Sequence, residues 1–212
     1  MTPTPTPPPK PASTTPAGPA RRENQRRRTR KDLLAAASRL LHRGETPDMD
    51  AVAKEAMVSR ATAYRHFPSI EDLLVEAPID EAAPDPADLF AADRSTDAAA
   101  RADRAEAALH GMCFRHEHAL RAMLAASITR PATPGPRRQN RRAGLIDAAL
   151  APVRGRLTPA AYRRLTAALA LIFGTESMIV FRDVLGMTPD QARKVKSWAI
   201  RALVDAALAE SR

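Results

Sequence analysis

Residues 59–67 read Ser-Arg-Ala-Thr-Ala-Tyr-Arg-His-Phe, and their types suit contact with a nucleic-acid duplex. Arg60 offers a forked donor that matches a guanine edge, Ala61 allows close approach, and Thr62 supplies a hydroxyl and a methyl group. Short or hydrogen-bonding side chains are what the N-terminal end of a major-groove helix requires. Ser59 can cap such a helix while the exposed N–H groups of its first turn face a phosphate. Val58, Ala63 and Phe67 would lock it to its neighbours. Taken singly, Tyr64 and Phe67 read as core aromatics, and Arg60 and Arg65 as a solvated face. At these spacings together they point to DNA.

A seven-residue helix must be held by others. Leu33, Leu34, Ala37, Leu40 and Leu41 mark one face of a helix over 29–42, which Gly44 is placed to end. Asp48 can cap a short helix over 49–56 that buries Val52, Ala53 and Ala56. The helix that carries these residues covers 60–66 and stops before Pro68. A fourth helix opens at Ser69, buries Ile70, Leu73 and Leu74, and is ended or kinked by Pro78. Ahead of this unit lie a Pro- and Thr-rich stretch, disordered or polyproline-like, and a basic run that includes Arg21, Arg22, Arg26, Arg27, Arg28 and Arg30. That run is either a solvated tail or an arm that reaches phosphates.

The segment 50–74 resembles the DNA-binding region of the tetracycline-repressor (TetR) family of bacterial regulators. The resemblance rests on Val52-Ala53, on the turn Ala56-Met57-Val58-Ser59, and on Tyr64-Arg65-His66-Phe67. It covers about a quarter of the chain. It implies that Tyr64 and His66 hold phosphates, with Arg65 at phosphate or base, and that a palindromic double-stranded operator is the partner. The expected DNA-contact set is Arg28, Arg30, Asp48, Ser59, Arg60, Ala61, Thr62, Tyr64, Arg65 and His66. Two positions depart from the family pattern. Met57 stands where the family usually has Gly, and Ile70 where it commonly has a phosphate-binding Lys.

Composition agrees with an all-α protein. Only 4% of residues are aromatic, Gly numbers 8, and few stretches alternate as a half-buried strand would. The net charge of +9 raises the prior for nucleic acid or an anionic surface. One cysteine, Cys113, allows no intramolecular disulfide, and the N-terminus has no apolar core of a secretory signal, so a cytoplasmic location is expected. No nucleophile elbow, phosphate loop or HExxH sequence suggests an enzyme. The expected organisation is a tail over 1–28, a helix-turn-helix domain over 29–78, and a helical effector-binding and dimerisation domain over 79–212.

In the last of these, periodicity predicts helices over 97–115, 117–128, 138–150, 159–184 and 189–209, with an acidic connector over 80–86 and a loop over 130–138. Helix 159–184 is apolar nearly all round, which calls for cover by its own core on one face and a second subunit on the other, helped by Val195, Trp198, Ala199, Ala202 and Leu203, with the central helix of a monomer as the alternative. Met112, Phe114, Met123, Phe173 and Met178 are candidates to line an effector pocket, with plain core as the alternative for each. Glu176, a carboxylate among apolar neighbours, needs a partner across the dimer or in a ligand. Arg137, Arg138, Arg141 and Arg142 read as a solvated helix start or an anion site. His110, Cys113 and Glu117 share a face if their helix is continuous, a spacing compatible with zinc, but core or surface roles are preferred. No metal or cofactor is expected, and the expected partners are DNA, a second copy of the chain and a small-molecule effector.

Overall fold

The computed structural model describes residues 19–129 and 139–211. Among them every regular element is helical. Helix α1 spans Pro19–His42, so it starts well before the expected residue 29. Proline is preorganised for a first helical turn, and the Arg and Gln that follow are good helix formers. Residues 19–28 of the expected tail are therefore helical, and 1–18 lie outside the described residues. Leu33, Leu34, Ala37 and Leu40 turn inward, while Leu41 is only partly buried. Each fully buried leucine contributes about 2 kcal/mol.

Helices α2 (Met49–Glu55), α3 (Arg60–His66) and α4 (Ile70–Ala82) follow at short intervals. Each begins with a side-chain cap: Asp48 accepts from the Ala51 N–H, Ser59 from Thr62, and Ser69 from Asp72. Val52, Ala53, Ala63, Phe67 and Leu73 close one core with α1. Pro78 does not end α4, which runs four residues further, to Ala82. Ala77 belongs to the first core, and Ile79 to a second.

That second core is built by α5 (Pro86–Phe90), α6 (Ala98–Arg115), α7 (Glu117–Thr129), α8 (Arg141–Leu150) with a 3-10 turn over Ala151–Arg156, α9 (Pro159–Ile172), α10 (Thr175–Ile179) and α11 (Pro189–Ala209). The presumed connector 80–86 is mostly taken up by the end of α4 and the start of α5. Central helix α6 packs against α8 and α11. The helix expected over 159–184 is broken. α9 and the following segment meet at 45°, and Val180–Val184 continues α10 as a wider π turn. The break falls at Gly174, whose φ of +99° disfavours any side chain, and a Cβ there would stand 3.0 Å from the Arg142 guanidinium. Ser177 donates to the Ile172 and Gly174 carbonyls on either side of the break. No single helix among the described residues is long and apolar enough to cross a membrane.

Charge is enclosed in this core. The Lys196 ammonium, 1% exposed, donates to Glu106 Oε1 at 2.8 Å and lies 3.3 Å from His110 Nδ1. Glu106 is wholly buried, and this burial pushes its carboxyl up while Lys196 and Arg193 hold it back. Burial, with the charges of Lys196 and Arg193, pulls the His110 imidazole down to about 4.

Candidate nucleic-acid interface

The turn before α3 sets its approach. Met57 has φ 55°, and the Met57 and Val58 N–H groups donate to the Lys54 and Ala53 carbonyls at 3.0 and 2.9 Å. This double bond pattern is a Schellman motif, whose left-handed position is normally glycine. Methionine there costs roughly 1 kcal/mol or more. Its side chain is 92% exposed, so packing does not offset the cost.

Only Ala63 of α3 is buried within the helix, and Phe67 anchors its end. Arg60, Ala61, Tyr64 and Arg65 are exposed, and Thr62 and His66 are half-buried. The face presented to solvent therefore carries the residues selected for DNA contact. Ser59 Oγ donates to Thr62 Oγ1 at 2.9 Å, and the Arg65 guanidinium donates to the same oxygen at 3.0 Å. Arg60 is 2.8 Å from Asp50 Oδ2 and lies above the Tyr64 ring. This pair is exposed at both ends, so it is worth little and yields readily to a competing acceptor. Burial, then the nearby Arg30, Arg26 and Arg65 charges, hold the His66 imidazole below the usual histidine range.

Residues 33–77 match the family model described as bacterial regulatory proteins, tetR family. The chain carries a tetR-family DNA-binding domain. It is accordingly a DNA-binding transcriptional regulator. No curated protein and no solved structure matches it.

The remaining expected contacts divide. Arg28 is exposed on α1, as are Arg21, Arg22, Arg26 and Arg27. Asp48 is occupied as the cap of α2. Arg30 is turned inward, which departs from its expected place at a phosphate. It donates to the His66 carbonyl at 2.7 Å, pairs with Glu76, and covers the Phe67 ring at 3.9 Å. It braces the C-terminal end of α3. Ile70, where the family pattern has Lys, packs partly buried against the first core.

Glu76 was not singled out from the sequence, yet it is 6% exposed and accepts from both Arg30 and Arg141, the latter at 2.9 Å. Its position three residues after Leu73, on the buried stripe of α4, was the available signal.

The expected effector residues are scattered. Met112 and Met123 line a cavity of about 60 Å³ between α4, α6, α7 and α8. Phe173 and Met178 are buried in the core, and Phe114 stacks beside His110 at 4.6 Å, away from that wall. Glu176 is not buried. Its side chain is 40% exposed and pairs with Arg142 at 2.6 Å. Arg141 and Arg142 are engaged in ion pairs instead of forming a solvated face, and Arg137 and Arg138 lie outside the described residues. The helix carrying His110 and Cys113 ends at Arg115, so Glu117 starts a separate helix and binds Arg121 and Arg182. Among the described residues no group of three metal-ligating side chains converges.

Proposed function

We propose that the chain is a homodimeric repressor that occupies an inverted repeat and leaves it when a small effector binds the domain over 79–212. The observation that carries the operator reading is the solvent-facing side of α3, with Arg60 held by exposed partners, Asp50 and Tyr64, at the end where base edges are met. Arg60 reads a guanine, Ala61 and Thr62 fit the groove beside it, and Tyr64, His66 and the Ser59-capped first turn hold phosphates. Arg65 and Arg28 add charge along the backbone.

The test uses a duplex selected from a random pool. Arg60→Ala should cost about 1–3 kcal/mol on that duplex and relax preference at one base pair per half-site. Tyr64→Phe and His66→Ala should weaken selected and scrambled duplexes by similar factors, because phosphates carry no sequence information. Arg28→Ala should reduce the log–log salt slope by about 0.9. If Arg60→Ala lowers both affinities equally while the other two alter base preference, the roles within α3 are wrongly assigned.

Dimerisation is supported by apolar side chains left uncovered on the last helices: Leu171 is 78% exposed, Val184 73% and Trp198 73%. Val195 and Ala202 extend the Trp198 stripe along α11. Ile172 and Ile179 are half-buried against the chain's own core. Trp198→Asp should produce monomers in light scattering, and a monomeric wild type at micromolar concentration would remove the dimer from the proposal.

A further inference from the structure

The cavity of about 60 Å³ has an unusual wall. Leu109, Met112, Leu120 and Met123 make it apolar, Arg141 and Arg142 give it two guanidinium groups, and among the described residues no carboxylate lines it. The acids that balance these arginines sit outside the wall: Glu76 and Asp80 on α4 bind Arg141 at 2.9 and 3.1 Å, and Glu176 binds Arg142 at 2.6 Å. An occupant thus meets positive charge backed by hydrocarbon, which suits an anionic head on an apolar body.

Its position makes occupancy consequential. Two wall residues lead to α4: Ile79 is part of that helix, and Arg141 is tied to it by Glu76 and Asp80. Glu76 also holds Arg30, and Arg30 holds the His66 carbonyl at the end of the reading helix. The path from cavity to DNA face is four groups long.

We propose that this cavity receives a small ionised organic acid with an apolar body, which acts by taking Arg141 from Glu76 and Asp80. This rests on the reading of the chain as an effector-controlled regulator. The acid competes for Arg141, Glu76 shifts its charge toward Arg30 alone, and the brace on α3 loses its fixed point. Ligand and DNA then favour different arrangements of the same arginine pair, the condition for one to alter the affinity of the other.

The experiment uses the full chain, a duplex selected from a random pool, and octanoate as the probe, with 1-octanol and acetate as controls. Calorimetry should detect octanoate, and octanoate should displace the duplex where octanol and acetate at equal concentration do not. Glu76→Gln should bind octanoate about tenfold more tightly and the duplex about tenfold less tightly, because both effects draw on one contact. Asp80→Asn leaves the Arg30–Glu76–Arg141 chain in place and serves if Glu76→Gln does not fold. It should raise octanoate affinity several-fold and leave duplex affinity without octanoate unchanged. Arg141→Gln should abolish octanoate binding. Equal binding of octanol and octanoate, undiminished binding by Arg141→Gln, or no binding by any straight-chain acid from butanoate to dodecanoate overturns the proposal. A wild-type chain that selects no duplex overturns the regulator reading instead, and the calorimetry still decides the acid site.

Discussion

The core beneath the reading helix is made of Leu33, Leu34, Leu40, Val52, Phe67 and Leu73, with Glu76 at its edge, whereas the core of the following domain encloses Glu106, Lys196, Arg101 and His110. In the first, charge is confined to the rim, where buried Glu76 meets Arg30 and Arg141, and the short helices are fixed by shape. In the second, each ion must find its partner: Lys196 meets Glu106, and Arg101 donates to the Ala148 and Ala149 carbonyls at the end of α8. Buried ions gain little net stability, because desolvation offsets their attraction. They do tie one helix to one register, and they make that domain sensitive to what titrates or competes inside it. The contrast predicts that substitutions and acid act differently on the two halves.

The largest effect should come from Lys196→Met. It leaves the buried Glu106 carboxylate with Arg193 alone, at 3.4 Å, and should cost about 3–5 kcal/mol, read as a lower denaturant midpoint. Adding Glu106→Leu should restore most of the loss. A double variant no better than the single would mean that Lys196 acts through packing, and the contrast between the cores would fail.

Acid should produce a smaller loss, confined to the same domain. The His110 imidazole titrates near 4 in the fold and near 6.5 in the unfolded chain, so between these values the unfolded state binds more protons. Stability contributed by neutral His110 is complete above pH 6.5 and declines as pH falls toward 4. Glu106, raised by burial, works against this trend. The difference between wild type and His110→Gln in urea melts isolates the imidazole, and parallel pH profiles would refute its role.

The smallest change lies in the other half. Met57→Gly should stabilise the DNA-binding unit by up to about 1 kcal/mol, since the left-handed turn loses its side-chain penalty and the exposed thioether gives up no packing. A lower melting temperature would refute this account of the turn.

What the sequence disclosed follows the same division. The bounds of α3 were legible because Ser59 and Pro68 are local signals, and Met57 stood out only by the resemblance, as a departure from the family's usual Gly. The early start of α1 was obscured by a basic run that reads equally as tail. Gly174 carried a signal for the break in the long apolar helix, but unbroken hydrophobicity on both sides outweighed it. The Arg30–Glu76–Arg141 chain was illegible for another reason: its partners lie 46 and 65 residues apart, and spacing says nothing of contacts that only packing creates.

Pro78 sits on α4 between Ala77, in one core, and Ile79, in the other. Having no amide hydrogen, it withholds the bond that the Leu74 carbonyl would otherwise accept along the helix. In hydrogen exchange, α4 should therefore behave as two lengths joined end to end. Amides over 73–77 should share the protection of the DNA-binding unit, and those over 79–82 should follow the larger domain and slow when it is occupied. The seam lets one continuous helix belong to two opening units, each with its own clock.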